Sequence, residues 1–333
     1  MNLTQPDRID RKKRHFIAAL AAAPALLAAP ALVRAQGKPL TIILTVPPGT
    51  SSDTLARMLG ERLRARLNRT VVVESKSGAG GLVAIQHMRN FDADGAYLMM
   101  APNSAVSLLP LFATKPTFDP DKDLQAVVEC ASAPMAFTVN PAAGVSTLAE
   151  YFDAVSKDNR RGSIGVPSPV SMGALVIYQL GQQLKLPLQA VPYRGGAPLL
   201  ADILGNQIPA SGSILPDYLE LHRAGKLKVL AHASEKRSVL APDIPTITEA
   251  GYPGYVAVTS FGLYAKAGIP MGLAEDYAAL VTEALRSAPV VEALHKMGLV
   301  PVGGTPAEFQ RKVSADRLRW APVIRDSGIR MDA

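Results

Sequence analysis

Two serine-bearing turns have the residue types that hold a small anion. The first runs from Pro48 through Gly49, Thr50, Ser51, Ser52 and Asp53, directly before leucines at positions 55, 59, 63 and 67. Unpaired backbone N–H groups at a helix start, aided by the helix dipole, attract a carboxylate, and the Ser51 and Ser52 hydroxyls add donors. Charge-assisted hydrogen bonds contribute about 1.5–3 kcal/mol each, so three of them with some apolar contact approach the ~8 kcal/mol of a micromolar complex. Asp53 is the expected N-cap, and the whole turn reads equally as a plain helix start. Ser168-Pro169-Val170-Ser171, ahead of a helix expected from Gly173, repeats the arrangement, so that two turns would hold both ends of a small diacid. Tyr193-Arg194-Gly195-Gly196 offers a phenol and a guanidinium, or else is an ordinary loop with a solvated arginine. Asn103 and Ser104, which follow a strand at Tyr97 to Ala101, and Ser213, just ahead of Leu215-Pro216, complete the candidate ligand-binding set.

Catalytic chemistry finds little support. There is no Gly-x-x-x-x-Gly-Lys-Ser/Thr loop and no Gly-x-Ser-x-Gly elbow. Gly78-Ala79-Gly80 follows a strand as a dinucleotide fingerprint would, but the third glycine position holds Val83, so a tight turn is the better reading. His15, His87, His222, His232 and His295 are scattered, without the spacing of a metal site. Cys130 lies in an apolar stretch, as a buried inert thiol does, and a lone cysteine rules out a disulfide framework. We expect no catalytic residue, no metal and no cofactor.

The elements that would position these turns follow from apolar patterning. Leu40 to Val46 is continuously apolar, as in a strand buried on both faces, and Val71-Val72-Val73 reads as another. Alternation of strand and helix predicts an α/β fold with a mostly parallel sheet and helices on both faces. A second unit begins near Phe137, with strands at Ser163 to Val166, Gln189 to Pro192 and Lys228 to Ala233. Val256 to Tyr264 is expected to return to the first unit, and a last helix at Pro306 to Ser327 to bury Phe309, Val313, Leu318, Trp320 and Ile324. Domain 1 is therefore assigned to 36–135 and 258–333, domain 2 to 136–257.

The chain has 333 residues, 48% hydrophobic and 19% charged, enough to bury two cores, and its net charge is +7. The charge is misleading, because much of it is discarded. Residues 1–35 have a basic start, an apolar run from Phe16 to Val33, and Val33-Arg34-Ala35 ahead of an expected cleavage before Gln36. Lys13-Arg14 fits a twin-arginine signal with Lys first, or the general secretion route. Cleavage removes six basic and two acidic residues and leaves +3. That is too weak to argue for nucleic acid, but suits an exported protein that meets small anions.

At these residues the chain resembles the extracytoplasmic receptors of tripartite tricarboxylate transporters, the Bordetella uptake gene type. The matching motifs include Pro47-Pro48-Gly49-Thr50-Ser51-Ser52-Asp53, Val71-Val72-Val73-Glu74 with Gly78-Ala79-Gly80-Gly81, and Val191-Pro192-Tyr193-Arg194-Gly195-Gly196-Ala197-Pro198. Pro242-Asp243-Ile244-Pro245-Thr246 and Val302-Gly303-Gly304-Thr305-Pro306 continue the match in order. The resemblance implies a two-domain periplasmic binding protein fold of type II, a Venus flytrap with two crossover segments. It also implies a small organic carboxylate held by the Gly49–Asp53 turn and the Ser168–Ser171 turn, a two-subunit inner-membrane permease as partner, and a monomeric receptor in the periplasm.

Departures from the family pattern bear on the ligand. Thr50 and Ser51 replace glycines, prolines remove donors from the second turn, Val170 adds bulk, and Ala174 stands where a histidine is usual. The acid often found before the Leu215-Pro216 pair is absent. A monocarboxylate, or an acid with an apolar second end, is expected more readily than citrate. A receptor presenting its closed form to a membrane sensor would need the same cleft, and an enzyme on the same fold would need a nucleophile and base that the scattered histidines do not supply.

Overall fold

The computed structural model describes residues 38–330, and the expected export segment at 1–35 lies outside the described residues. Strand β1 (Leu40–Leu44) buries Leu40, Ile42, Ile43 and Leu44 completely, as a continuously apolar strand should. Helix α1 (Ser51–Leu67) lays Leu55, Leu59 and Leu63 into the same core. Strand β2 (Val71–Ser75) departs from expectation: it is the outermost strand, and Val72 is 44% exposed although its run is wholly apolar.

The glycine turn at 78–81 leads into α2 (Leu82–Met88), followed by β3 (Tyr97–Pro102) and a 16-residue β4 (Leu124–Val139). Next come α3 (Leu148–Lys157), β5 (Ser163–Val166), α4 (Met172–Leu184), β6 (Gln189–Pro192), α5 (Gly196–Leu204) and β7 (Ala210–Ile214). Helix α6 (Leu219–Arg223) and β8 (Lys228–His232) precede β9 (Val258–Lys266). The chain then runs through α7 (Met271–Arg286), α8 (Ala288–Lys296), β10 (Val300–Pro301) and α9 (Pro306–Ser327).

The main path through the sheet is β2-β1-β3-β9-β4-β7-β5-β6, with β8 and β10 also paired to β4. Among the ten strands, parallel pairing is confined to the two flanks, β2-β1-β3 and β7-β5-β6. The middle is antiparallel, which corrects the expectation of a mostly parallel sheet. The cause is topological: β4 carries the chain out of the first flank and β9 brings it back, so the two crossing strands must run in opposite directions. β4 pairs with β9 as far as Pro134 and with β7 and β8 from Met135 or Ala136 on. Pro134 has no N–H to donate, and the ladder resumes with Met135 N–H to the Ala257 carbonyl at 2.9 Å.

Helix α9 packs against β4 and the turn at 104–108 with Phe309, Val313, Trp320 and Ile324 buried. Leu318, expected with them, is 76% exposed. It falls off the stripe set by positions 313, 320 and 324 at helical spacing.

Candidate functional site

In a sheet of this kind ligands bind beyond the carboxyl ends of the parallel strands, where loops enter helices. Twelve of the thirteen candidate residues fall there. Gly49 to Asp53 follow β1, Asn103 and Ser104 follow β3, Ser168, Val170 and Ser171 follow β5, Tyr193 and Arg194 follow β6, and Ser213 is the last residue but one of β7.

The first turn starts α1 three residues earlier than the sequence suggested. Thr50, and not Asp53, is the N-cap: its hydroxyl accepts from the Asp53 N–H at 3.3 Å and donates to the Pro47 carbonyl at 3.2 Å. Ser51 and Ser52 therefore occupy the first two helical positions, among the backbone donors with no intrahelical partner. Asp53 reaches back instead. Its Oδ2 accepts from the Gly49 N–H at 2.9 Å, and its Oδ1 lies 2.9 Å from Arg57 Nε. Burial pushes the Asp53 carboxyl up, but the Gly49 N–H and the Arg57 guanidinium outweigh it and hold the group below the usual range. Asp53 thus stays ionised and shapes the loop. Ser52 is 2% exposed, and its hydroxyl has no hydrogen-bond partner.

The second turn is built alike. Ser171 caps α4 by accepting from the Ala174 N–H at 3.4 Å, and Ser168 Oγ accepts from the Val170 N–H at 3.3 Å. A Cβ on Gly173 would lie 2.2 Å from the Gly212 carbonyl oxygen, so only glycine lets the first turn of α4 approach β7 this closely. The 193–196 loop is tied to this turn by Tyr193 N–H to the Val166 carbonyl at 2.8 Å and Gly195 N–H to the Pro167 carbonyl at 2.9 Å. The Tyr193 hydroxyl donates to Asp202 Oδ2 at 2.8 Å; burial first, then this carboxylate, push its pKa up to about 12. Arg194 is exposed.

The turns after β2 and β5 meet. A Cβ on Gly80, whose φ is +66°, would lie 3.0 Å from Val170 Cγ2 and 3.8 Å from Ser168 Oγ. Gly81, at φ +110°, likewise sits against Thr45 and Ala105, so the glycine pair is a packing requirement of this junction. Val170 is 2% exposed there.

Asn103 serves inward. Its amide donates to Asp316 Oδ2 at 2.5 Å and accepts from the Ser260 N–H at 3.1 Å, linking α9 to β9. Ser104 is buried beside it. Cys130 is buried in the core, which pushes its thiol up, as an inert cysteine requires. His232 is buried too, with Ser234 Oγ 2.8 Å from its Nδ1.

Sequence reasoning missed Asp217. It sought an acid before Leu215-Pro216, whereas the acid stands after the pair, where Ser213 Oγ donates to its Oδ2 at 2.7 Å. Burial pushes the Asp217 carboxyl up to about 6, opposed by the Ser213 hydrogen bond; the neighbouring phenol of Tyr218 is itself pushed up by burial. An acid with a raised pKa contributes stability that is present below the ordinary carboxylate range and lost as pH rises through about 6. Asp217→Asn is therefore expected to be the more stable protein at pH 7.5, by up to about 3 kcal/mol, with most of the gap gone by about pH 4.5 and the rest by about pH 3. Urea denaturation at the two pH values checks this, and a gap independent of pH would contradict it.

The family model for the tripartite tricarboxylate transporter family receptor matches residues 55–329. The chain belongs to this receptor family. As a receptor it is a solute-binding protein of the periplasmic type and not an enzyme. It is similar to protein BugT of Bordetella pertussis, 29% identical over 299 residues that cover 88% of this chain and 90% of the relative. A solved structure described as R. palustris Rpa4515 with adipate is 28% identical, with a TM-score of 0.82, over 87% of the receptor and 97% of that chain. The periplasmic binding protein BugD is 25% identical, with a TM-score of 0.79, over 88% and 98% of the two chains.

Proposed function

We propose that this receptor captures a small organic carboxylate, with one end on the Gly49–Asp53 turn, and delivers it to a two-subunit inner-membrane permease. The observation that carries the reading is the Ser52 hydroxyl, buried and without a partner among the free N–H groups that open α1. A buried donor left unpaired is costly unless a ligand completes it. The adipate bound by a relative supports the ligand class.

The receptor acts as a monomer in the periplasm after its signal at 1–35 is cleaved. Its moving parts are 36–135 with 258–333 and, opposite them, 136–257, hinged where β4 and β9 cross. Ser168, Ser171, Tyr193, Arg194 and Ser213 form the opposing wall, and a ligand touching both walls selects the closed state. Val170 occupies the junction with an apolar side chain and adds no donor. The ligand is accordingly a monocarboxylate, or an acid whose second end is not a carboxylate.

A thermal-shift panel on the purified exported protein tests this. Monocarboxylates are expected to raise the melting temperature more than dicarboxylates of equal length, and a panel in which no acid raises it would overturn the reading.

A further inference from the structure

The acid missed in the sequence adjoins two of the candidate segments, Ser213 at the end of β7 and the loop at 193–196. Its segment, Leu215 to Asp217, continues β7 directly beyond the Ser213 position. A Cβ on Gly196, the first residue of α5, would lie 3.5 Å from Asp217 Oδ2, so the carboxylate faces the start of the helix that follows the Tyr193-Arg194 loop. Pro216 lies against Gly298, the glycine between α8 and β10, where a Cβ would come within 3.0 Å of Pro216 Cα. Asp217 is half-buried, whereas Ser213 is 4% exposed.

We infer that Asp217 is a specificity-determining residue that selects carboxylic acids carrying a hydroxyl or ammonium group at the end remote from the bound carboxylate. An ionised carboxylate only accepts hydrogen bonds and has about four lone-pair sites. Ser213 fills one of them at 2.7 Å. A ligand group that donates to Asp217 completes it, whereas a second ligand carboxylate would set two anionic acceptors face to face. This assignment rests on the proposed carboxylate site at Gly49–Asp53, which holds the other end.

Titration calorimetry with hexanoate, adipate, 6-hydroxyhexanoate and 6-aminohexanoate tests it, the length being that of the relative's adipate. In the wild-type receptor the hydroxy and amino acids are expected to bind at least about tenfold more tightly than adipate, the effect of about 1.4 kcal/mol. Asp217→Asn is expected to weaken 6-aminohexanoate and strengthen adipate, so that the ratio moves by about tenfold or more. A wild-type preference for adipate, or an order unmoved by Asp217→Asn, overturns the inference and leaves the carboxylate receptor standing. If none of the four binds and the wider panel is also silent, both readings fall.

Discussion

Ser52→Ala is expected to weaken carboxylate binding by about tenfold to a hundredfold while leaving the ligand-free protein as stable as before, or slightly more so. The two effects have opposite signs for one reason. Ser52 is 2% exposed and its hydroxyl is unpartnered, so replacing it removes an unsatisfied polar group from the folded protein. The same hydroxyl stands at the second position of α1, where a bound anion would receive it together with the free backbone donors. Loss of one charge-assisted bond corresponds to about 1.5–3 kcal/mol of binding. Calorimetry with the best acid of the panel, paired with thermal melts without ligand, separates the two. A variant that loses stability and affinity together would show that Ser52 is a structural residue of the turn.

Gly173→Ala is expected to have the largest effect on the opposing wall. The new Cβ would lie 2.2 Å from the Gly212 carbonyl oxygen, a backbone atom of β7 that cannot swing aside as a side chain would. Either α4 or β7 must move. The expected loss is about 2–4 kcal/mol, from the middle of the usual overpacking range to somewhat beyond it. The displacement also separates Ser168 and Ser171 from Ser213, so affinity should fall even where the variant remains folded. Gly144→Ala makes a useful control for backbone freedom alone, since a Cβ there meets nothing within 4 Å although its φ is +69°. Equal losses in the two variants would mean that the close approach of α4 to β7 is not what Gly173 provides.

The first turn was legible because two local signals agree there. Leucines at positions 55, 59, 63 and 67 mark a helix, and Thr50 to Asp53 supply the polar residues that start one. The cap was misplaced because serine, threonine and aspartate all suit the position, and only the backbone shows that Asp53 reaches back to Gly49. Element order was legible from apolar runs, but the direction of pairing was not. β4 and β9 are antiparallel because of where the chain must go, a fact of contacts far apart in sequence. β2 shows the same limit, since Val71-Val72-Val73 reads as buried and only its place at the end of the sheet exposes Val72. Asp217 was invisible for a further reason. Nothing local distinguishes an acid after Leu-Pro from a turn residue until Ser213 and Gly196 are brought beside it.

The receptor family and the candidate site describe a protein that binds and releases. Native mass spectrometry of the exported protein, purified without dialysis and compared with Ser51→Tyr, tests that claim most directly. Ser51 opens α1, so a tyrosine there would occupy the anion position without entering the core. The account predicts a single carboxylic acid bound one to one in the wild-type protein and lost from the variant. An acid that persists in Ser51→Tyr, or a wild-type protein that takes up none even when the panel is added back, would contradict it.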